Sequence, residues 1–186
     1  MTSDLGFVYI WENPLNFIWS PWRMEYIQSE KKVEECVFCH EIGQEDGPQN
    51  LIVNRGQYAF VILNRYPYTS GHLMIVPYVH MPSLELLDSK TRAEMMELSA
   101  KAIRVLSQEY QPQGFNLGMN IGEAAGAGIL DHVHLHVVPR WNGDTNFMSS
   151  LGRTRVLPET LEDTYSRIRN AWNALINNVP IDKQQS

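Results

Sequence analysis

Three histidines stand at alternate positions in the second half of the chain: His132, His134 and His136. Successive side chains of a β-strand point to opposite faces, so a strand here would place the three imidazoles on one face, about 6.6 Å apart. Unperturbed histidine titrates near pH ~6.5, so at neutral pH the ring is mainly an uncharged nucleophile or metal ligand. Half of the six histidines in the chain share this face. The pattern predicts a chemical role rather than an ordinary solvent-facing strand.

A metal site built from all three of these histidines is disfavoured. Rings spaced by two residues along one strand run roughly parallel and do not converge on a tetrahedral ion. We therefore expect at most one or two of the three to be metal ligands.

The two cysteines of the chain, Cys36 and Cys39, form a second chemical motif. In a cytoplasmic chain, two cysteines separated by two residues favour a metal-binding or redox role over a structural disulfide. Two thiolates do not complete a structural metal site, so two further ligands must come from elsewhere. The alternative is that both cysteines are small buried apolar residues, which free cysteine often is.

Composition limits the classes of function. The chain has 186 residues, of which 44% are hydrophobic and 19% charged, as expected for one globular domain. The net charge of −6 argues against a broad nucleic-acid surface but allows a small phosphate-bearing ligand. A basic start followed by an apolar run is absent, and so is a membrane-length apolar stretch, so we expect a cytoplasmic protein.

The predicted elements indicate an antiparallel α+β fold. Helices are expected over Ser89–Tyr110 and from Pro158 onwards, where apolar residues recur at spacings of three and four. The apolar stripe of the second helix is expected to face the core or a dimer interface. Strands are expected over residues 58–63, 72–77 and 114–120 and at the histidine run. Strands joined by short turns, with the helices not alternating with them, are typical of such a sheet.

Four segments together resemble the histidine-triad (HIT) superfamily of nucleotide hydrolases and transferases. The histidine run fits that family's pattern of three histidines separated by apolar residues and followed by two more apolar residues. The resemblance extends from about residue 36 to residue 140 and is carried by residues 36–39, 64–77, 120–126 and 132–138. It implies a sheet of about five antiparallel strands, with a long helix packed on it and a C-terminal helix. HIT domains usually pair into homodimers, so it also implies a dimer.

The resemblance implies catalytic or substrate-binding roles for three of the histidines and one asparagine. His134 is implied as the nucleophile that attacks an α-phosphorus and forms a nucleotidyl-histidine, and its other ring nitrogen would donate to a backbone carbonyl. His136 and His72 would donate to the phosphate oxygens, where negative charge accumulates. Asn64 stands where the family places a residue that reaches ribose or phosphate.

The loop before the triad is implied as a phosphate-binding loop. Asn120, Gly126 and Gly128 would let the backbone approach a phosphate and offer its amides. The alternative is a flexible connection between strands that binds nothing. This chain departs from many family members, which carry Gln followed by Ser or Thr where it has Ala127-Gly128. That difference leaves open the side-chain contacts to phosphate.

The resemblance also completes the metal site. His80 and His132 occupy positions where zinc-bearing HIT proteins and the related uridylyltransferases place their histidine ligands. The implied cofactor is a structural zinc ion held by Cys36, Cys39, His80 and His132. His40 and His72 remain rival fourth ligands.

The chain is predicted to have three parts. These are an aromatic N-terminal arm over residues 1–30, the HIT domain over residues 31–150, and a C-terminal helical extension over residues 151–186 that packs on the same domain. Part of the arm, residues 19–27, resembles a segment of the HIT proteins that are dinucleoside-polyphosphate phosphorylases.

The resemblance implies an enzyme that cleaves dinucleoside polyphosphates such as diadenosine tetraphosphate at the α-phosphate, with either water or phosphate as second acceptor. A nucleoside phosphoramidase, which would use the same histidine on a P–N bond, is the alternative within enzymes. The alternative outside the enzymes is a purine-nucleotide-binding or scaffold protein without catalytic turnover. The presence of all three histidines favours catalysis, because binding alone needs no nucleophile at the middle position. The expected partner is a small nucleotide, not a nucleic acid or a membrane.

Overall fold

The computed structural model describes residues 36–144 and 158–177. These residues form three α-helices and five β-strands, with two short 3₁₀ turns at Leu84–Leu86 and Glu123–Ala125. In chain order the main elements are α1 (Val37–Ile42), β1 (Ile52–Arg55), β2 (Ala59–Leu63), β3 (Leu73–Pro77), α2 (Ser89–Tyr110), β4 (Gly114–Met119), β5 (Leu135–Arg140) and α3 (Leu161–Asn177). None of the helices within these residues is long and apolar enough to cross a bilayer.

The five strands form one antiparallel sheet in the order β1-β2-β3-β5-β4, which confirms the predicted α+β fold. Strand β1 had no counterpart among the individually predicted strands. It is only four residues long, and its pairing with β2 is irregular between Ile52 and Asn54. A short bulged strand shows no alternation that a sequence pattern could reveal.

Strand β5 begins later than the histidine run suggested. Its pairing with β3 starts at Leu135, so His132 and His134 precede the strand and only His136 lies within it. Before Leu135 the chain bonds elsewhere, because the amide of Val133 donates to the carbonyl of Met81 at 2.7 Å. The expectation of three imidazoles in a regular row along one strand was therefore wrong.

Helix α2 spans the predicted residues Ser89–Tyr110. Asp88 caps its start, since the Asp88 carboxylate accepts a hydrogen bond from the amide of Thr91 at 2.8 Å. Its buried face packs against β2, β3 and β5 and includes Met95, Leu98, Ala102, Val105 and Leu106. The helix thus supports the strands that carry the histidines.

Helix α3 packs on the same core through a buried stripe of Tyr165, Ile168 and Trp172. It begins three residues after the predicted start at Pro158, because the hydroxyl of Thr160 accepts from the amide of Asp163 at 3.1 Å and caps the helix. Of the two expected faces for its apolar stripe, the structure shows the core. The predicted aromatic arm, residues 1–30, lies outside the described residues.

One carboxylate holds the turn between β1 and β2. Glu94, on α2, accepts hydrogen bonds from the backbone amides of Gln57, Tyr58 and Ala59. The site has no room for a larger residue in the turn, since a Cβ on Gly56 would lie 2.8 Å from a Glu94 carboxylate oxygen. Glu94 therefore fixes the start of β2 to the helix behind it.

We predict that Glu94→Ala lowers the free energy of unfolding by about 1–3 kcal/mol, because three amides lose their charged acceptor. The exposed Glu97 of the same helix offers a matched control, and Glu97→Ala should change stability by less than about 0.5 kcal/mol. Urea denaturation measures both values. Equal stability of the two variants would contradict the role of Glu94.

Candidate active site and metal cluster

A cleft of about 130 Å³ opens between helix α1, strand β2 and the segment that leads into β5. Much of its wall is apolar, and this part includes Val37, Phe38, Leu51, Ile62, Leu63, Met74 and Ile129. His134 and His136 line the same cleft, together with Asn64. The cleft therefore places a flat apolar slot beside two imidazoles, an arrangement that suits a nucleobase joined to a phosphate.

His134 is almost fully buried, and its tautomer is fixed by the backbone. Its Nδ1 lies 3.0 Å from the carbonyl oxygen of His132, which can only accept, so Nδ1 carries the hydrogen. Burial lowers the pKa of His134 below its ordinary value, although the hydrogen bond to the His132 carbonyl opposes this shift. The ring is therefore neutral at pH 7, and its Nε2 carries a lone pair suited to nucleophilic attack.

A chain of hydrogen bonds fixes the tautomers of His72 and His136. The amide of Tyr68 donates to Nδ1 of His72 at 3.1 Å, so the hydrogen of the His72 ring lies on Nε2. That Nε2 lies 2.9 Å from Nδ1 of His136 and donates to it. The His136 ring must then carry its own hydrogen on Nε2. His136, which lines the cleft, can thus donate to an anion there.

His72 does not line the cleft, in contrast to the expectation that it donates to phosphate directly. It is fully buried, directly before β3, and its contact with His136 lies behind the cleft wall. Asn64 supports the same ring, since its side-chain nitrogen lies 3.3 Å from Nδ1 of His72. The amide of Tyr66 donates to the other atom of that side chain, Oδ1, at 3.0 Å.

The residues predicted to bind phosphate separate into two groups. Asn120 and Gly128 line the cleft, as does Asn64, whereas Gly126 does not. Gly126 ends the 3₁₀ turn at Glu123–Ala125 with a positive φ of 78°, a conformation that favours glycine. This backbone conformation is enough to explain why the residue is a glycine, and no bound ligand is needed to explain it.

Two cysteines and two histidines converge on the other side of α1. The ligand atoms of Cys36, Cys39, His80 and His132 all lie within 4.8 Å of one another, and the group could hold a metal ion. Sγ of Cys36 lies 3.4 Å from Nδ1 of His132, and Sγ of Cys39 lies 3.3 Å from Nδ1 of His80. Neither of the rivals His40 and His72 belongs to this group within the described residues.

The hydrogen bonding of His132 leaves one of its ring nitrogens available to a metal ion. Its Nε2 donates to the carbonyl oxygen of Pro77 at 2.8 Å, so Nδ1 faces the cysteines without a hydrogen. Burial lowers the pKa of His132 to about 4. The ring is therefore neutral and presents a lone pair to the cluster.

Comparison with known proteins now identifies the family. The sequence model of the HIT domain matches residues 46–143, which is more than half of the chain. The chain belongs to the HIT family. Its described residues contain the family's antiparallel sheet and its three histidines at alternate positions.

Several relatives of this HIT protein carry a name or a solved structure. An AP-4-A phosphorylase of Mycobacterium tuberculosis is 39% identical over 165 residues, which are 85% of each chain. A zinc-bound histidine-triad protein of Mycobacterium smegmatis has a solved structure with 29% identity and a TM-score of 0.62, covering 77% of this chain and 97% of its own. A histidine-triad nucleotide-binding protein of Sulfolobus tokodaii is 25% identical, with a TM-score of 0.64, over 81% of this chain and 100% of its own.

Sequence reasoning missed the apolar part of the cleft. Phe38, Leu51 and Ile62 are buried and also line the cleft. Residue type could not distinguish them, because a buried residue that contacts a ligand looks the same in a sequence as one that contacts the core. Phe38 carried one local signal, its position between the two cysteines.

Proposed function

We propose that this HIT protein cleaves dinucleoside polyphosphates such as diadenosine tetraphosphate at an α-phosphate, with His134 as the nucleophile. The observation that carries the proposal is the hydrogen bond from His134 to the carbonyl of His132, which aims an unprotonated Nε2 at the cleft. The 39% identity to an AP-4-A phosphorylase supports the same substrate class and favours phosphate as second acceptor.

In the first step, Nε2 of His134 attacks the α-phosphorus, and the P–O bond to the remaining nucleoside polyphosphate breaks. Nδ1 of His134 keeps its hydrogen and its bond to the His132 carbonyl, which stabilises the positive charge that develops on the ring. Nε2–H of His136 donates to the phosphate oxygens in the transition state. His72 is a positioning residue, because its bond to His136 fixes that tautomer.

In the second step, phosphate or water attacks the same phosphorus, and the P–N bond to His134 breaks. Diadenosine tetraphosphate then yields ATP and AMP with water, or ATP and ADP with phosphate. We propose that the apolar wall near Phe38 and Ile62 holds the base and that Asn64 contacts the ribose. Asn120, Gly126 and Gly128 remain candidates for the phosphate contacts through their loop.

We predict that incubation with diadenosine tetraphosphate gives ATP and ADP only when phosphate is present. His134→Ala should lower kcat by at least about 10³-fold and leave nucleotide binding largely intact, since only the attacking nitrogen is removed. Chromatography of the products and calorimetric titration with AMP measure both effects. Retained turnover in His134→Ala rejects the mechanism, and AMP binding by an inactive wild-type protein would instead indicate a nucleotide-binding protein.

We also propose that the cluster of Cys36, Cys39, His80 and His132 holds a structural zinc ion. Two thiolates and two imidazoles match the preference of zinc for S and N ligands. Bond lengths of about 2.3 Å to sulfur and about 2.0 Å to nitrogen place tetrahedral ligands roughly 3.5 Å apart. The observed Sγ–Nδ1 distances of 3.3, 3.4 and 3.8 Å agree. Four protein ligands leave no open position, so the ion would stabilise the fold rather than bind substrate.

Elemental analysis of protein purified without chelator should find one zinc per chain. We predict that Cys39→Ala and His80→Ala each lose the metal and lower the melting temperature, because three ligands hold zinc far more weakly than four. His40→Ala is the matched control: it removes a histidine next to Cys39 that lies outside the cluster, so zinc should be retained. Zinc-free wild-type protein, or retention by His80→Ala, would refute the assignment.

We further propose that the protein is a cytoplasmic homodimer. Strand β4 is an edge of the sheet, and Leu117 on it is 40% exposed. Residues 116–118 of this strand are exposed, and none of the described strands pairs with its outer edge, so a second strand can add there. The two cysteines, which form no disulfide, and a nucleotide substrate support the location, which cell fractionation tests.

Light scattering at micromolar concentration should give twice the 21.4 kDa mass of one chain. Leu117→Lys should weaken the dimer, because a lysine on an edge strand opposes pairing with another strand. Leu86→Lys is the control, since Leu86 is also exposed but lies in a 3₁₀ turn away from the sheet edge. A wild-type mass of one chain would contradict the dimer.

A further inference from the structure

The segment Cys36–Cys39 has two functional sides. Cys36 and Cys39 contribute their sulfurs to the metal cluster, whereas Val37 and Phe38 line the cleft. The ring of Phe38 lies 5.3 Å from that of His132, a cluster residue, and 5.1 Å from that of His134 in the cleft. One four-residue segment therefore belongs to both sites.

His132 makes a second connection between the sites. Its side chain faces Cys36 and Cys39, and its backbone carbonyl accepts the hydrogen bond that orients His134. A shift of this residue would move a metal ligand and the acceptor of the nucleophile together.

Helix α1, which carries Phe38 and Cys39, has few anchors of its own. It has six residues, its N-cap Cys36 makes no capping hydrogen bond through its side chain, and Phe38 is its one buried residue. Outside the cluster, Asn50 adds a 3.3 Å hydrogen bond to the carbonyl of Glu41, and the Glu41 carboxylate forms a 3.6 Å ion pair with Arg65. Helices this short are not stable by themselves, so their position depends on the contacts made at each end.

We propose that the metal cluster and the cleft are energetically coupled through Phe38 and His132. A metal on the cluster holds the Val37–Phe38 wall and the His132 carbonyl in the geometry that binds a nucleotide. Because coupling between binding free energies is reciprocal, a nucleotide in the cleft must tighten binding of the metal, and we expect the tighter binding to appear as slower release. This inference rests on the proposed function in two respects, namely that the ligand of the cleft is a nucleotide and that the cluster holds zinc.

The test measures zinc release from the zinc-loaded protein into a coloured chelator, with and without saturating AMP, which is a ligand but undergoes no turnover. We expect AMP to slow release by about 5-fold or more, the lower end of typical coupling. Inorganic phosphate, which has no base to pack on the Phe38 wall, should have less than about 2-fold effect. In the reciprocal measurement, removal of zinc should weaken AMP binding, because the two affinities are linked.

Two variants separate local coupling from general stabilisation by a bound ligand. Phe38→Ala keeps all four metal ligands but removes the shared ring, so saturating AMP should slow zinc release much less than in the wild-type protein. Ile129→Ala also removes an apolar side chain from the cleft, away from the cysteines, so protection by saturating AMP should persist. If Phe38→Ala does not fold, Phe38→Leu replaces it, with reduced protection expected.

The possible results of these measurements distinguish failure of the coupling from failure of the proposed function. Unchanged zinc release despite AMP binding, measured by calorimetry, overturns the coupling alone and leaves the proposed function intact. Equal protection in the Phe38 and Ile129 variants overturns the route through Phe38. A failure of AMP to bind the wild-type protein overturns the proposed function, and the coupling with it.

Discussion

The buried imidazole of His132 is the constraint on which the site depends. A fully buried ring must find a partner for each nitrogen, because an unsatisfied polar atom in the interior is costly. Nε2 donates to the carbonyl of Pro77 at the end of β3, and this leaves Nδ1 for the cysteines. With its side chain fixed in this way, the backbone carbonyl of His132 is held where Nδ1 of His134 needs an acceptor. The contacts of the His132 side chain with Pro77 and the cysteines therefore determine where the cleft has its backbone acceptor.

The pairing of β3 with β5 supplies the other half of the site. His136 is opposite Met74, and His72 directly precedes β3, so the sheet brings the two rings together across neighbouring strands. The turn before His72 must pass close to α2. Gly71 has a φ of 76°, and a Cβ there would lie 2.9 Å from Leu106, so the position requires glycine. The close packing of this turn on α2 thereby helps to fix the position of His72 beside His136.

The sequence was sufficient for the features that depend on local pattern or on residue chemistry. Helix α2 was predicted to its end residues because apolar residues recur along it at spacings of three and four. The sequence was insufficient for features that depend on contacts between residues far apart in the chain. His40 and His80 could not be separated as ligands, since only the fold brings a histidine 41 residues away from Cys39 to within 3.3 Å of it. The location of His72 behind the cleft wall likewise depends on the register of β3 and β5.

The two edges of the sheet differ in how they are protected. On β1, the hydroxyl of Tyr165 donates to the carbonyl of Ile52 and the guanidinium of Arg169 to that of Val53, so α3 occupies backbone acceptors that another strand would use. No such cover lies on β4 in the part of the chain that the structure describes. A sheet with one blocked edge and one open edge can add a single neighbour and then stop growing. Helix α3 thus protects the protein against the open-ended strand stacking that produces fibrils.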